Sequence, residues 1–172
     1  MRKLALLVVA ALAGFLATPA PTASAATLPE WHTTASSWTN HHARQPLVTD
    51  LRYAQHQNFD RVVIDISGKI PGGRASYHRR FFYDPRGDRI PIRGGIQLTL
   101  LPAYGHDDSG SVYDGPTLVR PGFPALKAIA LVGDFEGQVS FAFGLSPYRS
   151  PYRVFWLHDP QRLVIDFKHP AE

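Results

Sequence analysis

Two carboxylates, Asp134 and Glu136, flank Phe135 and run into Gly137. If a strand continues through them, a spacing of two residues places both acids on one side, and a carboxylate pair about 5 to 9.5 Å apart across a cleft is what glycoside hydrolysis requires. The same stretch also makes a charged turn, because Asp and Gly are favoured where a chain reverses. The turn is the preferred reading. Asp108-Ser109-Gly110 is similar to part of the serine-protease nucleophile loop, but the preceding glycine and an upstream His-Cys signature are absent, and there is no G-x-S-x-G elbow. Ser, His and Asp occur in any chain of this length, and a triad is recognised by geometry and not by sequence spacing.

Potential metal ligands gather twice, as His32, His41 and His42 and as His106, Asp107, Asp108 and Asp114. Neither group has H-E-x-x-H or another ordered ligand spacing, so no metal and no cofactor is assigned. A third set of charges lies in "DRVVIDIS" at 60 to 67, which is echoed by "QRLVIDFK" at 161 to 168. Arg61 aligns with Arg162 and Asp65 with Asp166. Two copies of one strand pattern are explained by structure more simply than by catalysis: charges on the outer face of a sheet pair across it, each pair contributing roughly 0.2 to 1 kcal/mol. These groups are read as outward-facing, at the solvent side of the sheet.

Two segments suit binding. From Arg74 to Arg93 six arginines (74, 79, 80, 86, 89 and 93) meet only Asp84 and Asp88, interleaved with Tyr77, Phe81, Phe82 and Tyr83. Arginine forks and aromatic faces fit phosphates, carboxylates and sugar rings, although a charged edge hairpin has the same composition. The stretch from Tyr104 to Pro124 is longer than an ordinary connection, which suggests a binding loop, a lid or disorder. The candidate ligand-binding residues are accordingly Arg74, Tyr77, Arg79, Tyr83, Tyr104, Tyr113, Asp134 and Glu136.

The elements that must position them are strands. After Pro46 short alternating runs are separated by Gly, Pro and Asp clusters, and no window keeps a helical period for three turns. Val62, Ile64 and Ile66 share a face opposite Arg61, Asp65 and Ser67; Ile96, Leu98 and Leu100 oppose Gln97 and Thr99. In 139 to 145 Val139, Phe141, Phe143 and Leu145 alternate with Ser140, Ala142 and Gly144, small residues that leave room for a close neighbour. Further strands are expected at 47 to 54, 75 to 83, 125 to 132, 152 to 158 and 162 to 168. Asp159-Pro160-Gln161-Arg162 is expected to join the last pair through a type I turn with Pro160 second. About eight mainly antiparallel strands make an all-β single domain, a β-sandwich or alternatively a small β-barrel.

The chain opens with Arg2 and Lys3, an apolar run from Leu4 to Ala17 and Ala23-Ser24-Ala25, the layout of a secretory signal peptide ending at residue 25. No later stretch approaches the roughly 20 apolar residues of a membrane span. Removing 25 of 172 residues leaves 147, with 16 Lys and Arg against 14 Asp and Glu, so the mature chain is only mildly basic. It has no cysteine, and its stability must come from apolar burial. Residues 26 to 46 read as a polar leader, a linker or loosely docked arm with Trp31 and Trp38 as its large apolar groups. The domain spans 47 to 168 and residues 169 to 172 form a tail.

The ordered series His56, Phe59-Asp60-Arg61-Val62-Val63, Ser67-Gly68, Pro71-Gly72, Tyr77, Gly95 to Ala103, Asp134-Phe135-Glu136-Gly137, Phe143-Gly144-Leu145 and Val154 to Asp166 with its Asp159-Pro160 turn resembles the AMIN-like domain of secreted and lipid-anchored proteins from Gram-positive bacteria of high GC content. The resemblance covers about 47 to 168. It implies a β-sandwich related to AMIN domains, non-catalytic modules that target envelope proteins such as cell-wall amidases to peptidoglycan. Two features depart from that pattern: there is no lipobox cysteine, and no amidase domain follows.

The expectation is therefore a secreted, extracellular, non-enzymatic module that binds the cell envelope, with peptidoglycan or an attached anionic wall polymer as partner and retention at the cell surface by non-covalent contacts left open. A small secreted glycan hydrolase using Asp134 and Glu136 and a β-cup for a small apolar ligand are the alternatives. Nucleic acid is a poor partner for an exported protein.

Overall fold

The alternation in 59 to 67 has a direct outcome in the computed structural model, which describes residues 27–171. Val62, Ile64 and Ile66 are buried between two sheets while Arg61, Val63 and Asp65 face the other way. The strands in chain order are β1 (Ser36–Trp38), β2 (Leu47–Gln55), β3 (Phe59–Ser67), β4 (Gly72–His78), β5 (Gly95–Leu101), β6 (His106–Asp107), β7 (Gly110–Ser111), β8 (Leu118–Val119), β9 (Leu126–Phe135), β10 (Gln138–Leu145), β11 (Tyr152–Leu157) and β12 (Arg162–Lys168). One sheet has the order β1-β4-β5-β10-β9-β8, and the other β11-β12-β3-β2. All ladders between these strands are antiparallel. The fold is an all-β sandwich and does not close into a barrel. Among the described residues no helix is long and apolar enough to cross a membrane.

The interior is filled by alternate side chains of both sheets, with Val62, Ile64, Leu163, Ile165 and Phe167 on one side and Ile96, Leu98, Leu100, Phe141 and Phe143 on the other. Phe143 meets Phe167 across the gap with ring centroids 5.4 Å apart. Burying a side chain of this size is worth about 1.5 to 3 kcal/mol, so a chain without cysteine finds its stability here.

The small residues of β10 have the close neighbour that their size anticipates. On the outer face of the larger sheet Ala128, Ala130, Val132 and Ala142 are covered by Phe81, Ile90 and Ile92, which form a second core. A Cβ on Gly144 would come 2.4 Å from Ile92 Cγ2. The strand expected at 75 to 83 therefore ends earlier, at His78, because Phe81 is needed as a lid on the outer face. The cover is held by Ile90 N donating to Phe81 O (2.9 Å) and Tyr83 N to Asp88 O (2.8 Å).

Residues 27–46, read from sequence as a linker or arm, are built into the sandwich. β1 pairs with β4, and His32 exchanges backbone hydrogen bonds with Tyr152 at 3.1 and 3.0 Å. The fully buried Tyr152 donates its hydroxyl to Thr34 O (2.8 Å). The long connection from 104 to 124 is likewise ordered by the β6–β7 ladder and by β8 at the edge of the larger sheet. The final hairpin pairs Tyr152–Leu157 with Arg162–Lys168 as expected, but its loop has a cis Asp159–Pro160 bond and Asp159 at φ 54° in place of a type I turn. The signal-peptide reading of residues 1 to 25 lies outside the described residues.

Candidate functional site

The echoed charges come together only in part. β3 and β12 are neighbours, with Arg61 opposite Asp166 and Asp65 opposite Arg162. Arg61 forks onto Asp166 at 2.7 and 2.9 Å, and Arg153 from β11 adds a third bond at 2.8 Å. Asp65 turns instead to Arg52 at 2.8 and 2.6 Å, while Arg162 donates to Pro160 O. Asp166 is not at the solvent side as expected: it is fully buried. Arg61 and Arg153 roof it, and Trp31 and Phe59 cover Arg153 with centroids 4.3 and 5.3 Å from its guanidinium carbon. Asp60 also departs from a solvent-edge reading, since it is fully buried. Its carboxylate accepts from Ala125 N and Leu126 N at 2.8 Å each and pairs with His169 Nε2 at 2.8 Å. Both buried acids are saturated by structural partners, which accounts for charges inside the fold without catalysis.

Asp134 and Glu136 have separate roles. Glu136 and Gly137, at φ 50° and 75°, form the two-residue turn between paired Phe135 and Gln138, the geometry of a tight β-hairpin. Asp134 Oδ2 lies 2.6 Å from His106 Nδ1. Its Oδ1 is buried and has no hydrogen-bond partner among the described residues. Tyr104 meets the His106 ring edge-on at 5.9 Å, so Tyr104, His106 and Asp134 form one cluster. His106 is held above its ordinary pKa by the hydrogen bond and charge of Asp134.

The other candidates are dispersed. Tyr77 donates to Ser150 O at 2.6 Å beneath Arg149, and burial raises its phenol pKa. Tyr113 packs on Phe141 and donates to Pro116 O, again with its pKa raised by burial. Tyr83 packs on the second core with Arg86 over its ring. Arg74 is exposed on β4. Among the described residues no three His, Asp or Glu side chains converge as a metal site would need.

Arg79 alone of the eight lines a groove of about 600 Å³. With it stand Arg93, Arg120 and Lys127, beside Tyr148, Ser146 and a floor of Gly94 and Gly144, and no carboxylate lines the groove. Among the described residues none of the four cations pairs with an acid. Three of them are held in place. Arg79 lies over the Tyr148 ring at 5.4 Å, Arg120 donates to Pro91 O at 2.9 Å, and Lys127 donates to Phe123 O. Lys127 is the extra residue of a bulge in β9, since Gly144 pairs with Ala128 and Leu145 with Leu126, and a bulge re-aims a side chain. Four cations without a counter-charge line one groove, an arrangement whose chemistry suits an anion. Sequence reading had Arg79 and Arg93 in its basic run but missed Arg120, Lys127 and Tyr148, which reach the groove from other strands and loops.

Comparison with curated proteins finds no match, and comparison with solved structures finds none. Residues 46–169 match the family model of the AMIN-like domain.

Proposed function

The chain belongs to the AMIN-like domain family, and we propose that it acts as a secreted, non-enzymatic cell-envelope binding module that adsorbs to an anionic polymer of the wall, or to peptidoglycan through its acidic groups. The observation that carries this reading is the groove of Arg79, Arg93, Arg120 and Lys127 with no acid in its lining. Arginine forks match phosphate and carboxylate oxygens, the lysine adds a compact charge, and Tyr148 offers a ring face. The sequence of residues 1 to 25, with its basic start, apolar run and A-x-A site, supports export.

Adsorption by exposed charges weakens with salt, because the Debye length falls from about 10 Å at 0.1 M to about 3 Å at 1 M. Mature protein is expected to co-sediment with purified cell walls at low salt, to be released as salt rises, and to bind poorly to walls stripped of their anionic polymers and acidic groups. Recovery in the supernatant at low salt, or equal binding to stripped and intact walls, contradicts the reading. The same incubation tests the enzymatic alternative: release of soluble wall fragments by the parent, lost in Asp134→Asn, would replace adsorption with hydrolysis.

A further inference from the structure

A second groove lies where the edges of the two sheets part. β1 is one edge of the six-stranded sheet and β11 one edge of the four-stranded sheet, and each supplies a tryptophan. Trp38 and Trp156 approach with centroids 6.0 Å apart and planes at 41°. Trp38 packs against the main core and donates its Nε1 to Pro71 O at 2.9 Å, which fixes the plane of its ring. Trp156 is 42% exposed. It follows Tyr152 and Val154 on the inward-facing side of β11, opposite the buried Leu163 of β12 but on the edge strand of its sheet, and its indole lines the groove.

The lining of this groove, about 440 Å³ in volume, differs in kind from the basic one: it includes two indoles, polar side chains among which are Asn40, His158 and Gln161, and one lysine, Lys69. Asn40 is committed, donating to Ile70 O at 2.7 Å and accepting from His42 N at 3.0 Å. Gln161 Oε1 lies 3.0 Å from His158 Nδ1, an arrangement that leaves the Gln161 amide N–H groups and His158 Nε2 for a ligand. Aromatic faces with amide and imidazole groups beside them complement a pyranose ring, which has apolar C–H faces and hydroxyls around its edge.

We propose that the Trp38–Trp156 groove is a saccharide site, holding a neutral pyranose ring with one face on the Trp156 indole and its hydroxyls toward Gln161 and His158. It rests on the wall-binding reading for the origin of the glycan and is independent of the basic groove in its chemistry. Together the two grooves let the domain hold a wall strand by charge at one place and by ring stacking at another.

The test uses mature protein and the neutral trisaccharide chitotriose in ~1 M NaCl, which suppresses the charge contribution. Tryptophan emission and titration calorimetry are expected to show saturable binding below about 10 mM, weakened about tenfold, or ~1.4 kcal/mol, in Trp156→Ala. Trp156→Phe, which keeps a ring, restores part of it, and Arg86→Glu, at an exposed position outside both grooves, leaves it unchanged. No saturable signal from the folded parent, or a Trp156→Ala variant that binds as the parent does, overturns the proposal. Should chitotriose fail while salt-sensitive wall binding holds, the saccharide site falls and the charge reading stands; saccharide binding without wall adsorption gives the reverse.

Discussion

Arg61 and Asp166 lie directly opposite each other on β3 and β12, joined by two hydrogen bonds of 2.7 and 2.9 Å, and the carboxylate of the pair is fully buried. The corresponding Asp65 opposes Arg162 in the same ladder but binds Arg52 at an exposed site. One sequence pattern, repeated, thus yields one buried network and one surface pair.

The energetic consequences differ. Removing one partner of a buried ion pair costs about 3 to 5 kcal/mol, because the remaining charge is left uncompensated; an exposed pair contributes about 0 to 1 kcal/mol. Asp166→Asn is therefore expected to lower unfolding stability several-fold more than Asp65→Asn in urea denaturation. Equal losses would contradict the burial of the network.

The glycines of the larger sheet mark close backbone approaches. A Cβ on Gly95 would come 2.0 Å from Phe143 O, a backbone atom, while one on Gly144 meets the Ile92 side chain at 2.4 Å. Overpacking costs about 1 to 3 kcal/mol where side chains can yield, so Gly144→Ala is expected in that range and Gly95→Ala above it. Thermal unfolding of the two variants checks the order. A Gly95→Ala protein as stable as the parent would show that β5 and β10 are not in this register.

His106 and Asp134 form a pH-dependent clamp between β6 and β9. The hydrogen bond and charge of Asp134 raise the His106 pKa, so the stabilisation is fully present below the ordinary value of about 6.5 and is lost as pH rises through the raised one. An NMR titration should give His106 a midpoint above about 6.5 that returns toward it in Asp134→Asn. A midpoint indifferent to the substitution would mean the pair does not form in solution.

Much of the fold was legible because period-two alternation is a local signal: Val62, Ile64 and Ile66 declare their face without reference to any other strand, and Ser140, Ala142 and Gly144 announce a close neighbour. What covers the outer faces is set by residues far away in the chain. Asp166 is buried because Arg153 and Trp31 arrive over it, and nothing near residue 166 reports that. The basic groove was half legible for the same reason: Arg79 and Arg93 stand in a visible cationic run, whereas Arg120 and Lys127 join them only through sheet order and the bulge in β9. Trp31 and Trp38 were conspicuous as large apolar groups in a polar leader, but their partners, Arg153 and Trp156, reach them only once the sheets are assembled.

The central claim is that the uncompensated cations of one groove hold the protein to the wall. Co-sedimentation at low salt of the parent, of Arg93→Glu/Lys127→Glu, and of Arg44→Glu/Arg86→Glu, whose arginines are exposed elsewhere, separates the groove from net charge. The account predicts that the groove variant stays in the supernatant while the control, with the same change in charge, sediments with the parent. Equal loss in both variants, or a groove variant that sediments undiminished, would contradict it.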